Sequence, residues 1–350
     1  MGRIDFGRRY IQLKGPVKLR LDVRSMSVTA IFFAAVIALS LFSLMVGTYK
    51  LGIAEVFSAL FGFGEITDFK RTVVIDWRLP RVLAAIVFGA GLAISGAIFQ
   101  SITRNPLGSP DILGFTSGSY TGALVVMLVF KSMSFTPIAI GSLIGGLATA
   151  LIIYLFAFRK GTQGFRLIIA GIAISTILGS INSMLLLKSK AEVALTAGAW
   201  GVGSLNGVDW VHVLPGILIV IILLILAMIL NRPLREMELG KDAAKSHGVN
   251  FDLTQLFLIV VAVSLTAVAT AIMGPITFVA LAAPQIALRF TKSAESLVPT
   301  ATVGAFVLLS ADVLAQRGIP GMILPVGVLT LTLGGFYLIW LLFHQARSAT

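Results

Sequence analysis

The chain has 350 residues, 57% of them hydrophobic and 12% charged, with a mean hydropathy of +0.98 and a formal net charge of +12. Soluble domains carry about 25% charged residues, so this chain cannot cover a water-exposed surface. Its excess of Lys and Arg reads as membrane topology and headgroup contact rather than nucleic-acid binding. The absence of Cys excludes disulfides, thiolate metal sites and Cys nucleophiles.

Residues 1–27 form a basic tail carrying Arg3, Arg8, Arg9, Lys14, Lys18, Arg20 and Arg24. The apolar run from Val28 to Val46 is too long for a signal-peptide core, so it reads as an uncleaved first helix with a cytoplasmic N-terminus. Ten spans are predicted, at 28–47, 82–101, 113–130, 138–158, 167–187, 213–230, 254–273, 276–290, 299–314 and 323–343, making residues 28–345 a single all-α transmembrane domain. Even-numbered spans then end inside. Arg159 and Lys160, Arg232 and Arg235, Arg289 and Lys292, and Arg347 all fall on the cytoplasmic side, as the positive-inside bias requires.

Residues 51–62 have the spacing of a short interfacial helix, and 188–212 form a second external segment. Gly114, Gly118 and Gly122 share a helix face, and Gly141 and Gly145 repeat the pattern, which predicts close helix packing. Pro106, Pro110, Pro275, Pro284 and Pro325 predict broken helices, tolerated in lipid only where protein or a water-filled cavity covers the freed backbone. Asn105, Pro106, Gly274, Pro275 and Pro284 are therefore candidate path and helix-break residues. Spans two to five and seven to ten are offset by five, an odd number, which predicts an inverted repeat.

No catalytic constellation is present. His212, His247 and His344 are far apart without metal-ligand spacing, and "ELGKD" lacks the first glycine and the hydroxyl of a phosphate loop. The chain is predicted to be no enzyme, to hold no cofactor or metal, and to leave ATP hydrolysis to other subunits. Asp312, near the outer end of the ninth span, fits a structural role or proton coupling. The long connection at 231–253 contains "KDAAKSH" before Gly248, a two-turn helix with Ala243, Ala244 and His247 on one face, fit either for a groove on another protein or for solvent. Arg78 and Arg81 flank Pro80 at the outer start of the second span.

Five blocks in order carry a resemblance: "WRLPRVLAAIVFGAGLAISGAIFQSITRNPLGSPDILGFTSG" (77–118), "LGKDAAKSHGV" (239–249), "GPITFVALAAPQIALR" (274–289), "SADVLAQ" (310–316) and "LPVGVLTLTLGGFYLIWLL" (324–342). The chain resembles the FecCD-type permease subunits of ABC importers for ferric siderophores, haem and vitamin B12. It is most similar to the enterobactin-type ferric siderophore permeases, through "ALTAGAWGVGSLNGVDW" (194–210).

The resemblance implies a type II ABC importer fold in the bacterial cytoplasmic membrane. It also implies a second permease subunit, identical or homologous, two cytoplasmic ATPase subunits and an extracytoplasmic binding protein; the enterobactin-type subgroup favours a homologous second permease. It makes Leu239, Gly240, Ala243, Ala244, His247 and Gly248 the ATPase-coupling stretch. Arg78 and Arg81 become docking residues for carboxylates of the binding protein, which a guanidinium grips through paired hydrogen bonds. The family's third docking arginine is replaced here by Gln316, and Arg317 follows it. Gln285 stands where the family commonly has His, and His247 where it usually has Leu. The expected function is ferric siderophore import, with haem or vitamin B12 import, or an ion-coupled carrier, as alternatives.

Overall fold

The computed structural model describes residues 10–13, 19–64, 66–157, 164–292, 297–319 and 321–348. Most of the basic tail, Arg159 and Lys160 lie outside the described residues, as do the side chains of His344 and Arg347. Among the described residues the chain is nearly all helical. Among the described residues the one sheet is a hairpin of β1 (Tyr10–Leu13) and β2 (Leu19–Asp22), with Tyr10 opposite Asp22. Its sequence alternates Leu19 and Leu21 with Arg20 and Asp22, the two-residue period of a strand. Asp22 then caps α1 (Val23–Met45) by accepting from Arg24 N–H at 3.1 Å.

Each of the ten predicted spans corresponds to a helix. Among the described residues seven are long and apolar enough to cross a membrane; in the other three the apolar helical stretch is shorter, at Phe115–Val129, Val279–Thr291 and Val326–Tyr337. The second span departs most from expectation, beginning at Asp68 rather than 82. There α3 (Asp68–Thr72) runs through a π-helical stretch (Val73–Arg78) into α4 (Leu79–Thr103). Its polar residues Asp68, Lys70, Arg71 and Asp76 hide this first part from a search for apolar runs. Between α1 and α3 the predicted interfacial helix is present as α2 (Ile53–Phe61). Lys70 bonds Glu55 of α2, and the hydrogen bond from that ammonium holds the Glu55 carboxyl below its ordinary value.

The third span is α5 (Phe115–Leu124), extended by a π-helical stretch (Val125–Val129). It is followed by α6 (Phe135–Ala157) and α7 (Gly164–Leu187). A short α8 (Ala191–Gly201) precedes α9 (Trp210–Ile229), and α10 (Asn231–Glu238) and α11 (Lys241–Ser246) fill the long connection. The last four spans are α12 (Phe251–Met273), α13 (Val279–Thr291), α14 (Leu297–Arg317) and α15 (Val326–Ser348).

The packing bears the offset-of-five pattern. α4 packs on α12, α13 and α14, while α12 packs on α4, α5 and α6, so spans two and seven exchange roles. α5 contacts α6 and α7 as α13 contacts α14 and α15. The two short helices are partners under this exchange. Each starts from a left-handed residue, Gly114 at φ 84° and Phe278 at φ 68°.

α4, α12 and α14 form the buried centre, and α1, α6, α7 and α9 are largely exposed apolar helices at the periphery. Glycine makes the close crossings possible. A Cβ on Gly122 would lie 2.0 Å from Gly141 O, and one on Gly89 2.6 Å from Gly304 O. In lipid such packing takes the place of the hydrophobic effect between helices.

Candidate functional site

Three sites are built on this frame: one at each end of α4 and one along α7. At one end of α4 the π-helical stretch and Pro80 set Arg78 and Arg81 on successive turns. Arg81 does not stand free. Its Nε and Nη2 donate to both oxygens of the fully buried Asp312 of α14 at 2.7–3.1 Å, and its Nη1 donates to Asn206 Oδ1 at 2.6 Å. Gln316, one turn on from Asp312, donates to Asp312 Oδ2 at 2.7 Å. With both oxygens occupied, Asp312 is a structural tie between α4 and α14.

Arg78 Nη1 donates to Leu44 O at 2.6 Å and Nη2 to Tyr49 O. Arg317 Nη2 donates to Ser43 O and Val46 O. Both guanidinium groups thus cap carbonyls at the C-terminal end of α1, where cations are favoured. Arg78 and Arg317 hold neighbouring carbonyls of the same helix end, and Arg81 shares Asp312 with Gln316, the residue before Arg317, so the three arginines form one cluster. Asp312 neutralises one of their charges and leaves two. The neighbouring connection between α8 and α9 packs here as well, with Ser204 N–H on Met273 O at 2.7 Å and Gly203 O accepting from Gly327 N–H at 3.0 Å.

The other end of α4 meets the connection that carries α10 and α11. Ser101 Oγ bonds Glu238, and Arg104 Nη2 donates to Met237 O at 3.3 Å. A cavity of about 250 Å3 opens beside these contacts, and Asn105, Pro106 and Pro284 line it together with Gln100, Gln285 and Arg235. Three of the five predicted helix-break residues are thus brought together. Gly274 and Pro275 are not among them; they sit across the molecule against Trp200 and Gly203.

Pro284 lacks the N–H that Ala280 O would take in a regular helix. That carbonyl faces Gly96 of α4, where a Cβ would come within 1.7 Å of it. One turn on, Gln100 Nε2 donates to Leu281 O at 3.0 Å, and Gln100 Oε1 accepts from Gln285 Nε2 at 2.6 Å. The amide at 285 is a stitch between α4 and α13. A further link joins the two broken-helix starts, where Asp111 Oδ2 accepts from Phe278 N–H at 3.1 Å.

α11 is tied to its neighbours at both ends. Lys241 Nζ donates to Asp252 at 2.8 Å, His247 Nδ1 meets Glu236 at 2.5 Å, and Gly240 and Gly248 take positive φ at its two ends. The predicted common face of Ala243, Ala244 and His247 is split. Ala244 is fully buried against its own chain, whereas His247 is exposed. The face turned outward carries Leu239, which is 65% exposed, with Lys245, Ser246 and His247. The reason is that Ala244 falls on the side of the turn that packs the hydrophobic core.

A feature absent from the sequence reading lies on α7. Thr176, Ser180 and Ser183 flank Gly179 and line an open groove with Met184. Each hydroxyl bonds the carbonyl four residues earlier, so the stripe is satisfied within its own helix while its surface stays polar. The spacing i, i+4, i+7 in an otherwise apolar run was its visible signal. Among the described residues no group of three or more His, Cys, Asp or Glu is placed to hold a metal ion.

Comparison with known proteins places this geometry among transport permeases. Residues 35–344 match the FecCD transport family. The ferric enterobactin transport system permease protein FepG of Escherichia coli K12 is 46% identical over 316 residues, covering 90% of this chain and 95% of that protein. The Fe(3+)-citrate import system permease protein YfmE of Bacillus subtilis 168 is 33% identical over 331 residues, 94% of this chain and 98% of that one. A solved inward-facing transporter of the metal-chelate ABC type superposes with a TM-score of 0.80 at 26% identity, covering 91% of this chain and 99% of that chain.

Proposed function

The chain belongs to the FecCD transport family, and from that premise we propose that it is the membrane-spanning subunit of an ATP-driven importer of ferric siderophores. The observation that carries this reading is the 46% identity, over nearly the whole of both chains, to a ferric enterobactin permease. The membrane is the bacterial cytoplasmic membrane, with both termini inside. The end bearing Arg81 then faces outward and α11 faces the cytoplasm. A homologous second permease, two ATPase subunits and a binding protein complete the complex.

Peripheral α7 carries its hydroxyl stripe outward, a polar face satisfied within its own helix that suits a hydrated path. It serves as a wall of the path at the junction with the second permease. The reading is tested by reconstituting the complex in liposomes. Uptake of a ferric siderophore is expected to require ATP, the ATPase subunits and the binding protein. Uptake by this chain alone on an ion gradient would overturn it, and uptake of haem or vitamin B12 in place of the siderophore would reassign the cargo.

Two of its interfaces are open to mutation. Leu239, just before α11, and Lys245, on α11 itself, are both exposed. Replacing both with Glu is expected to reduce ATPase co-purification about tenfold, the scale of one interface hot spot. Full retention with wild-type uptake would remove α11 as the coupling element.

The arginine cluster is the docking site for carboxylates of the binding protein. Arg78→Gln keeps a donor for the α1 carbonyls and removes one charge. Docking is expected to weaken several-fold at low ionic strength and to lose part of its salt dependence, because rim charges act through a screened field. Equal docking of Arg78→Gln and wild type at low salt would exclude Arg78 from the interface.

A further inference from the structure

Arg81 is held from two sides that differ in kind. Its Nε edge and Nη2 are committed to the buried carboxylate of Asp312, which fixes the guanidinium plane between α4 and α14. Its Nη1 donates to a neutral amide oxygen on an exposed residue, Asn206. A carboxylate arriving from outside finds the first edge occupied. The second edge is held by an acceptor that a charged oxygen replaces with profit, since charge-assisted hydrogen bonds are about twice as strong as neutral ones. The two charges left over in the cluster favour that replacement.

Asn206 belongs to the segment 202–207 of the connection between α8 and α9, which packs over this end of the bundle. Ser204 N–H bonds Met273 O, and Gly327 N–H bonds Gly203 O. The fit is tight enough that a Cβ on Gly327 would meet Val202 O at 1.7 Å, and one on Gly203 would meet Pro275 O at 2.4 Å. The segment therefore lies over the break between α12 and α13 and over the start of α15. Asn206 ties it by a side chain to Arg81, and through Arg81 to Asp312.

We propose that the Arg81–Asn206 contact is a latch, with Asp312 as the positioning residue that presents Nη1. A docked partner's carboxylate takes Nη1 from Asn206 and frees segment 202–207. Docking is thereby converted into loosening of the outer closure. This rests on the docking role of the arginine cluster given above.

The chain has no Cys, so an introduced thiol is the one thiol on this subunit, and labelling is read on this subunit's band after the subunits are separated. Val202 is 37% exposed and sits on the segment itself. In the complete complex in nanodiscs, maleimide labelling of Val202→Cys is expected to speed up about fivefold when the binding protein docks, the factor that corresponds to a lost contact of ordinary size. With Asn206→Ala added, labelling should be fast from the start and indifferent to docking. Asn206→Asp, with a charged acceptor on Nη1, should slow labelling and blunt the response. Docking is measured independently by co-sedimentation. Docking with unchanged labelling, or a wild-type response in Asn206→Ala, removes the latch alone. Failure of the binding protein to dock on the unaltered complex removes the docking role and the latch with it.

Discussion

Gly96→Ala is expected to cost most of the folded permease, while Gly179→Ala, the same change in another membrane helix, should leave it intact. The alanine Cβ at 96 would stand 1.7 Å from Ala280 O, 2.6 Å from its carbonyl carbon and 3.0 Å from its Cα. All three are backbone atoms, so no rotamer change relieves the contact. α4 and α13 would have to separate, breaking the Gln100–Leu281 and Gln100–Gln285 hydrogen bonds as well. Overpacking of a close-packed core costs about 1–3 kcal/mol where side chains adjust, and more where they cannot. At Gly179 nothing lies within 4 Å of the added atom, and alanine is the better helix former. Thermal melting and size-exclusion profiles in detergent decide the matter. Equal melting of Gly96→Ala and wild type would mean that α4 and α13 do not approach so closely.

Asp312→Ala should be the next most damaging single change. The carboxylate is fully buried and receives hydrogen bonds from Arg81 and Gln316. The Arg81 side chain is only 16% exposed. Removing either partner strands the other in a poorly solvated place, a loss of about 3–5 kcal/mol for a buried pair. Arg81→Met with Asp312→Leu should recover most of that stability, because a packed apolar pair carries no desolvation cost. The double variant should still dock the binding protein poorly, since the guanidinium is gone. Melting temperature and docking would then separate the structural role of the pair from its recognition role. A wild-type melt for Asp312→Ala would show that the tie contributes nothing.

The two changes lie near opposite ends of α4, which explains much of the architecture. This helix carries Arg81 at its start and Ser101 at its end, and it contacts all three central partners of the second repeat. One sequence block, 77–118, holds the glycines, prolines and arginines that these contacts need.

Much of this was legible in the chain itself. Ten apolar runs fixed ten helices, because a bilayer leaves the backbone few other ways to satisfy its hydrogen bonds. The spacing of Gly118, Gly122, Gly141 and Gly145 announced close helix packing, which the structure places between α5 and α6, and the offset of five announced a repeat, which the structure expresses in the contacts of α4 and α12. Polar residues within 68–78 concealed the start of the second span, since an apolar-run criterion measures composition and not backbone continuity.

What only the tertiary structure decided is pairing between residues far apart in sequence. Arg81 and Asp312 are separated by 231 positions, and no local pattern says that Arg81 has its own buried carboxylate. The same holds for Gln100 with Gln285, and for Ala244, which turns inward although its helix alone leaves it free to face out. Helix formation in a membrane follows from each segment's own transfer from water to lipid, so sequence settles it. Which polar group meets which depends on how the finished helices cross, and that is settled only when the bundle is packed.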